Sequence, residues 1–268
     1  MTTTSSFPQR LRSGEQLFGS LVVSPSPRWA DAVRGSGLDF IFIDTEHIAL
    51  GRHDLSAMCQ MYGALGFPPV VRITSPNPYE ATMALDGGAV GVVAPYVETV
   101  EQAKALRGAV KLRPLKGAIL QRILDGEKPE PEMEAYMARA AASRALILNI
   151  ESVPALENLD KILAVQGIDG VLIGPHDLSC SLGIPEQYSH PRFREAARTI
   201  FQKARAAGVG AGIHFWENLD LAAEFIADGA NLYIHSSDIQ LFAIHVRRET
   251  EILRRGTSTP GSTASVVV

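Results

Sequence analysis

Leu146-Ile147-Leu148-Asn149-Ile150-Glu151-Ser152, taken with Gly170-Val171-Leu172-Ile173-Gly174-Pro175-His176-Asp177-Leu178-Ser179, decides the fold of this chain. Both segments are apolar on consecutive rather than alternate positions. That is the pattern of a short strand buried on both faces, as strands of parallel sheets are. Each run then closes on a carboxylate, Glu151 or Asp177. In α/β proteins the C-terminal ends of parallel strands form the mouth where ligands bind. If the two strands are neighbours, the carboxylates converge and offer hard oxygen ligands to a divalent cation.

Outward from these segments, apolar runs and helical patterns alternate along the chain. Strands are expected at Phe18–Val23, Phe40–Asp44, Pro69–Ile73, Val90–Ala94, Ala145–Ile150, Val171–Ile173, Val209–Phe215 and Leu232–His235. Helices are expected at Pro27–Arg34, Asp54–Leu65, Tyr79–Asp86, Val100–Val110, Leu156–Ala164, Pro191–Ala207, Leu219–Ala227 and Ile239–Leu253. Parallel neighbours need crossover helices, so eight such units predict a parallel α/β sheet. They close most naturally into a (β/α)8 TIM barrel, whose usual size the 268 residues match. A doubly wound open sheet is the competitor. The segment from Pro114 to Arg144 fits neither strand nor short loop. Its helical part, about Pro131–Ser143, reads as an insertion that covers the mouth or makes an interface. Residues 1–16 read as a polar lead-in and Gly256–Val268 as a disordered tail, leaving one barrel domain within residues 1–255.

Apolar residues make up 46% of the chain, enough for a sizeable core. The net charge of −4, without a long run of one sign, implies neither nucleic acid nor an anionic membrane as partner. No apolar stretch is long enough to span a bilayer, and Met1-Thr2-Thr3-Thr4-Ser5-Ser6 lacks the profile of a signal peptide. Cys59 and Cys180 make neither a disulfide framework nor a spaced metal motif, so a cytoplasmic protein with reduced thiols is expected.

Ionisable groups gather at the C-terminal ends of the expected strands, whereas the opposite ends carry ordinary turn residues. Asp44-Thr45-Glu46-His47 follows the second strand, Arg72 closes the third, and Pro95 ends the fourth. Glu151, Gly174-Pro175-His176-Asp177, His214 and His235-Ser236-Ser237-Asp238 follow the later ones. Each group also has a bland reading. Glu151 and Asp177 can cap the helices that follow them. His47 alone reads as a structural histidine, although Asp44 and Glu46 on the same loop can orient it for acid/base work. Arg72 can be an ion-pair partner of Asp44 or Glu46, or can hold an anion or a developing negative charge. The backbone of Gly174-Pro175-His176-Asp177 can cradle a carboxylate or be a plain loop. His214 and His235 read as structural, and Asp86 as a helix-end residue. Taken together, the set suits chemistry through the enolate of a 2-oxo acid, with a metal as Lewis acid.

These residues also carry a family resemblance. Ile43-Asp44-Thr45-Glu46-His47 resembles the I-D-x-E-H signature of the HpcH/HpaI aldolase family, the class II pyruvate aldolases. Pro69-Val70-Val71-Arg72 resembles its P-x-V-R strand, and Leu85 to Pro95 its L-D-x-G-A-x-G-V-x-x-P run. Ile150-Glu151-Ser152 and Gly174 to Ser179 are similar to its metal-ligand segments, so the likeness runs from about Phe18 to Asp238. The resemblance implies a (β/α)8 barrel, usually hexameric, with Mg²⁺ or Mn²⁺ (or Co²⁺ or Zn²⁺) held by Glu151 and Asp177. It implies His47 as the acid/base group and Arg72 as stabiliser of the enolate. Asp86 would raise the basicity of His47 from a neighbouring subunit. The backbone at His176 and Asp177 would hold the substrate carboxylate. The implied reaction is reversible cleavage of a 4-hydroxy-2-oxo acid to pyruvate, or a related 2-oxo acid, and an aldehyde.

Three departures bear on the substrate. Asn149 stands where the family usually has Gln, and His176 where Ala or Ser is usual. Leu112 to Ile119 is a poorer version of R-x-P-P-x-G-x-R-G. A shorter amide and a larger ring are expected to reshape the pocket. The alternative enzymatic readings are a decarboxylase of oxaloacetate-like acids, a lyase of CoA thioesters, or a synthase trapping a pyruvate enolate. A non-catalytic, metabolite-binding barrel would need the base or the metal ligands lost, and all are present.

Overall fold

The computed structural model describes residues 5–255. Its strands are β1 (Leu17–Leu21), β2 (Phe40–Asp44), β3 (Pro69–Arg72), β4 (Gly91–Ala94), β5 (Ala145–Asn149), β6 (Gly170–Ile173), β7 (Gly210–His214) and β8 (Leu232–Ser237). Each is parallel to the next, and β8 pairs in parallel with β1, closing a barrel in sequence order. An open sheet would leave two edges; here every strand has two partners, so the barrel reading holds and the doubly wound one falls. The helices are α1 (Phe7–Ser13), α2 (Arg28–Val33), α3 (Arg52–Ala64), α4 (Pro78–Asp86), α5 (Val100–Lys111), α6 (Gly117–Leu124) and α7 (Pro131–Ala141). After β5 follow α8 (Val153–Glu157), α9 (Leu159–Leu163), α10 (Pro175–Ser181), α11 (Pro191–Ala206), α12 (Leu219–Ala227) and α13 (Asp238–Arg254).

Two separate cores explain why the strands are apolar on consecutive positions. Along β2, Phe40 and Phe42 point into the barrel, where they meet Leu17, Val70, Val93, Ile147, Leu172 and Ile234. Ile41 and Ile43 point outward, under the helices. The same alternation holds in β5, with Ala145 and Ile147 inside and Leu146 and Leu148 outside. Side chains two residues apart share a face of a strand. The inward series therefore continues to Asp44 after Phe42, to Arg72 after Val70, to Asn149 and Glu151 after Ile147, and to Gly174 after Leu172. A polar layer thus rests on the apolar filling at one end of the barrel.

The supposed polar lead-in is in part a helix. In α1, Phe7 and Leu11 are buried and join the interior core, and the Phe7 and Phe40 rings lie 5.5 Å apart. Leu11 closes the floor so tightly that a Cβ on Gly210 would come within 2.4 Å of its Cδ1. Phe7 and Leu11 are a single i, i+4 pair in a seven-residue helix, too short a run to stand out as a period in the sequence. The single helix expected at Leu156–Ala164 is broken into α8 and α9 at Asn158, whose amide donates to the Glu98 carbonyl at 3.0 Å. The insertion holds two helices, α6 and α7. They share a small core of Leu112, Leu115, Ile123 and Met137 and pack along α5, on the barrel's flank rather than over its mouth. The expected tail, Gly256–Val268, lies outside the described residues. Among those residues no helix is long and apolar enough to cross a membrane.

Candidate active site

The polar layer begins with Asp44 and Arg72, which are register partners across β2 and β3. The Arg72 guanidinium donates to both oxygens of Asp44, through Nε at 2.9 Å and Nη2 at 2.6 Å. Its Nε also lies 3.2 Å from Glu46 Oε2. Burial alone would raise the Asp44 pKa, but the hydrogen-bonded Arg72 outweighs it and holds the carboxyl below its usual range. Arg72 is pushed up in turn, with Asp44 outweighing burial, so it is a permanent cation at the mouth. His47 is exposed on the loop after β2, its Nε2 3.7 Å from Glu46 Oε2. The chain from Arg72 through Glu46 to His47 places a fixed positive charge and a titratable imidazole along one rim.

Glu151 and Asp177 arrive from the ends of β5 and β6. Glu151 is 1% exposed, and its Oε1 accepts from the Tyr96 backbone N–H at 2.8 Å. Its Oε2 accepts from Asn149 Nδ2 at 2.8 Å. Asp177 lies in the first turn of α10, and its Oδ1 accepts from the Tyr96 hydroxyl at 2.7 Å. The remaining oxygens converge on Gly174: a Cβ built there would lie 2.2 Å from Glu151 Oε2 and 3.5 Å from Asp177 Oδ2. Burial pushes the Glu151 carboxyl up to about 7, the Tyr96 N–H opposes this, and the charge of Asp177 adds to it. Glu46 is likewise raised, by burial above all.

A divalent cation fits this place. The cradle at Gly174 would be filled by any side chain, two carboxylate oxygens face it, and the Asn149 Oδ1 beside it is buried without a partner. Among the described residues no group of three or more His, Cys, Asp and Glu side chains is arranged to hold a metal. A two-carboxylate set instead matches a hard ion that keeps several waters or takes oxygens from a substrate.

The model of the HpcH/HpaI aldolase/citrate lyase family matches residues 18–244. The chain belongs to this family. It is 33% identical over 261 residues to the 2-keto-3-deoxy-L-rhamnonate aldolase of Shigella boydii, covering 96% of each chain. It is 34% identical over 258 residues to that of Escherichia coli K12, covering 95% of each. Among solved structures it superposes on an HpcH/HpaI aldolase/citrate lyase family protein from Burkholderia cenocepacia with a TM-score of 0.79. That likeness is at 27% identity and covers 94% of this chain and 100% of the other. The HpcH/HpaI chain described here is accordingly a carbon–carbon lyase of the aldolase kind.

The sequence-derived site of this aldolase is brought together at the mouth in large part: His47, Arg72, Asn149, Glu151 and Asp177 meet there. Asp86 does not. It ends α4, on the side where β4 begins, and is ion-paired with Arg113. Within one chain it therefore lies at the opposite end of the barrel from His47. The His176 ring does not enter the pocket as expected either. It is 62% exposed in the side chain, with Nδ1 3.6 Å from Glu186 Oε1 and Nε2 3.8 Å from Cys180 Sγ. The Asn149 amide donates through Nδ2 to Glu151, and its Oδ1 is left buried without a partner among the described residues. Sequence reading stopped at Pro95 and missed Tyr96 one residue later. A hydroxyl just past a strand end was the available signal.

Proposed function

We propose that the chain is a divalent-metal-dependent aldolase that reversibly cleaves a 4-hydroxy-2-oxo acid of the 2-keto-3-deoxy sugar-acid class to pyruvate and an aldehyde. The convergence of Glu151 Oε2 and Asp177 Oδ2 on the Gly174 cradle, beside the Arg72 cation, carries this reading. Glu151 and Asp177 hold the ion, and their oxygen donors favour Mg²⁺ or Mn²⁺ over Zn²⁺, which prefers nitrogen and sulfur. Bound there, the ion supplies Lewis acidity to the 2-oxo group. The first-turn N–H groups of α10, at His176 and Asp177, have no carbonyl within the helix to bond, and they receive the substrate carboxylate. His47 takes the proton of the C4 hydroxyl, and the C3–C4 bond breaks to release the aldehyde and leave the enolate of pyruvate. Arg72 stabilises the negative charge on the enolate oxygen, and return of a proton to C3 completes pyruvate. In the reverse direction a proton leaves C3 of pyruvate, the enolate carbon attacks the aldehyde, and His47 gives a proton to the oxygen that becomes the C4 hydroxyl.

The active unit is a homo-oligomer, with a hexamer the expectation. Only Asp238 of α13 is buried, and Phe242, at 63% exposed, stands with Ile239, Ile244 and Leu253 among the exposed apolar side chains of this helix. Such a surface calls for a second copy, and a second copy is also what Asp86 needs to reach an imidazole. Both cysteines are free thiols, which suits the cytoplasm. The test is pyruvate release across a panel of 4-hydroxy-2-oxo acids plus oxaloacetate, with EDTA and then with Mg²⁺ or Mn²⁺ added back. Sugar-acid cleavage that is lost with EDTA and restored by the ion is expected. Full activity of metal-free protein, or turnover of oxaloacetate alone, would refute the proposal.

A further inference from the structure

Tyr96 is the one described residue with a hydrogen bond to each of the two converging carboxylates. It follows Pro95 at the end of β4 and has φ of +48°, a left-handed conformation that is strained for a residue with a Cβ. That conformation turns the backbone N–H to Glu151 Oε1 at 2.8 Å and sends the hydroxyl to Asp177 Oδ1 at 2.7 Å. Both contacts fall on the outer oxygens. The inner ones, Glu151 Oε2 and Asp177 Oδ2, both turn towards Gly174, whose missing side chain lets them approach, and Glu151 Oε2 also accepts from Asn149 Nδ2. Strain at a strand end is kept where the surroundings compel it, and here two hydrogen bonds to acceptors from different strands do so. Asn149 on Glu151 Oε2 is the remaining neighbour in this arrangement and reaches only one of the acids.

We infer that Tyr96 is a positioning residue that clamps both carboxylates by their outer oxygens and so presents the inner pair to a divalent cation. This rests on the reading of Glu151 and Asp177 as metal ligands. Its physical content is that two carboxylates brought together repel, and that a donor on each outer oxygen fixes the rotamers without occupying the cation's place. Partners of this kind, outside the ligands themselves, typically change metal affinity by roughly 10- to 100-fold. The rival geometry is one in which the hydroxyl holds Asp177 away from the ion and competes with it.

The two are separated by sign. Mn²⁺ binding to the metal-stripped full-length protein is measured from the free-ion electron paramagnetic resonance signal, for wild type, Tyr96→Phe and Tyr96→Gly. Tyr96→Phe removes only the hydroxyl and is expected to weaken Mn²⁺ binding by roughly 10- to 100-fold with the melting temperature of the metal-free protein unchanged. Tyr96→Gly keeps the N–H and relieves the backbone, and is expected to weaken binding at least as much without loss of stability. In an Asp177→Asn background, Tyr96→Phe should add little, because the clamp would already have lost its charged acceptor. Equal or tighter Mn²⁺ binding by Tyr96→Phe would overturn the role of Tyr96 alone. Failure of the wild-type protein to bind Mn²⁺ would overturn the metal reading and this one with it.

Discussion

Gly174→Ala adds one methyl group where the site is narrowest. The backbone does not resist it: Gly174 has φ −85° and ψ 99°, which alanine adopts freely, and loss of chain freedom in the unfolded state favours alanine by about 0.4–1 kcal/mol. The new Cβ, however, would start 2.2 Å from Glu151 Oε2, against an ordinary contact of 3.4 Å, so the carboxylate must retreat by about 1.2 Å. Glu151 is buried and held by Tyr96 N–H and Asn149 Nδ2, each at 2.8 Å, and a retreat of that size breaks at least one of these bonds. A hydrogen bond to a charged group contributes about 1.5–3 kcal/mol, and overpacking costs about 1–3 kcal/mol. Part of the strain is relieved by movement of Glu151, so the loss at the metal site is about 2–4 kcal/mol, or roughly 30- to 1,000-fold in affinity. Calorimetric titration of metal-free protein with Mn²⁺ reads this directly, and circular dichroism with a thermal melt shows whether the barrel persists. A folded Gly174→Ala protein that binds Mn²⁺ within threefold of wild type would refute the cradle.

Arg72→Lys keeps a cation beside Asp44 but loses the two-pronged contact, so kcat/KM for pyruvate release should fall by roughly 100-fold or more while Mn²⁺ affinity changes only a few-fold. If its main effect were metal loss, Arg72 would belong to the ion and not to the reacting charge. His214 lies between Phe42 and Trp216 with Nε2 3.2 Å from the Ser236 carbonyl, and burial lowers its pKa to about 4 from 6.5. The folded state therefore prefers the neutral ring, and the stability this gives is present above pH 6.5 and lost as pH falls through about 4. His214→Gln should flatten the acid limb of melting temperature against pH in that window, and an unchanged limb would remove His214 as its cause. Mixed oligomers of Asp86→Ala and His47→Ala subunits should regain pyruvate-forming activity if Asp86 serves a neighbouring copy's His47, since each parent lacks a different half of the pair. No regain would leave Asp86 as the partner of Arg113 only.

The barrel was legible because its signal is local. Phe40-Ile41-Phe42-Ile43 must satisfy two cores at once, and that demand writes a consecutive apolar run whatever the rest of the chain does. The strand-end position of His47, Arg72, Glu151 and Asp177 was legible for the same reason, because a side chain's place along a strand is a matter of counting residues. The α1 helix was not, since its two apolar anchors acquire meaning only from the open barrel floor they fill. Which group faces which was not legible either. Asp44 holds Arg72 through strand register, Asn149 turns to Glu151, and His176 turns away to Cys180 and Glu186. Tyr96 meets residues 55 and 81 positions further along the chain. The sequence by itself determined the periodicities, and hence the strands and the end of the sheet that carries charge. Only closure of the barrel decided the contacts among those charges, because closure alone brings the ends of distant strands into one low-dielectric mouth, where a rotation about a single side-chain bond chooses the partner.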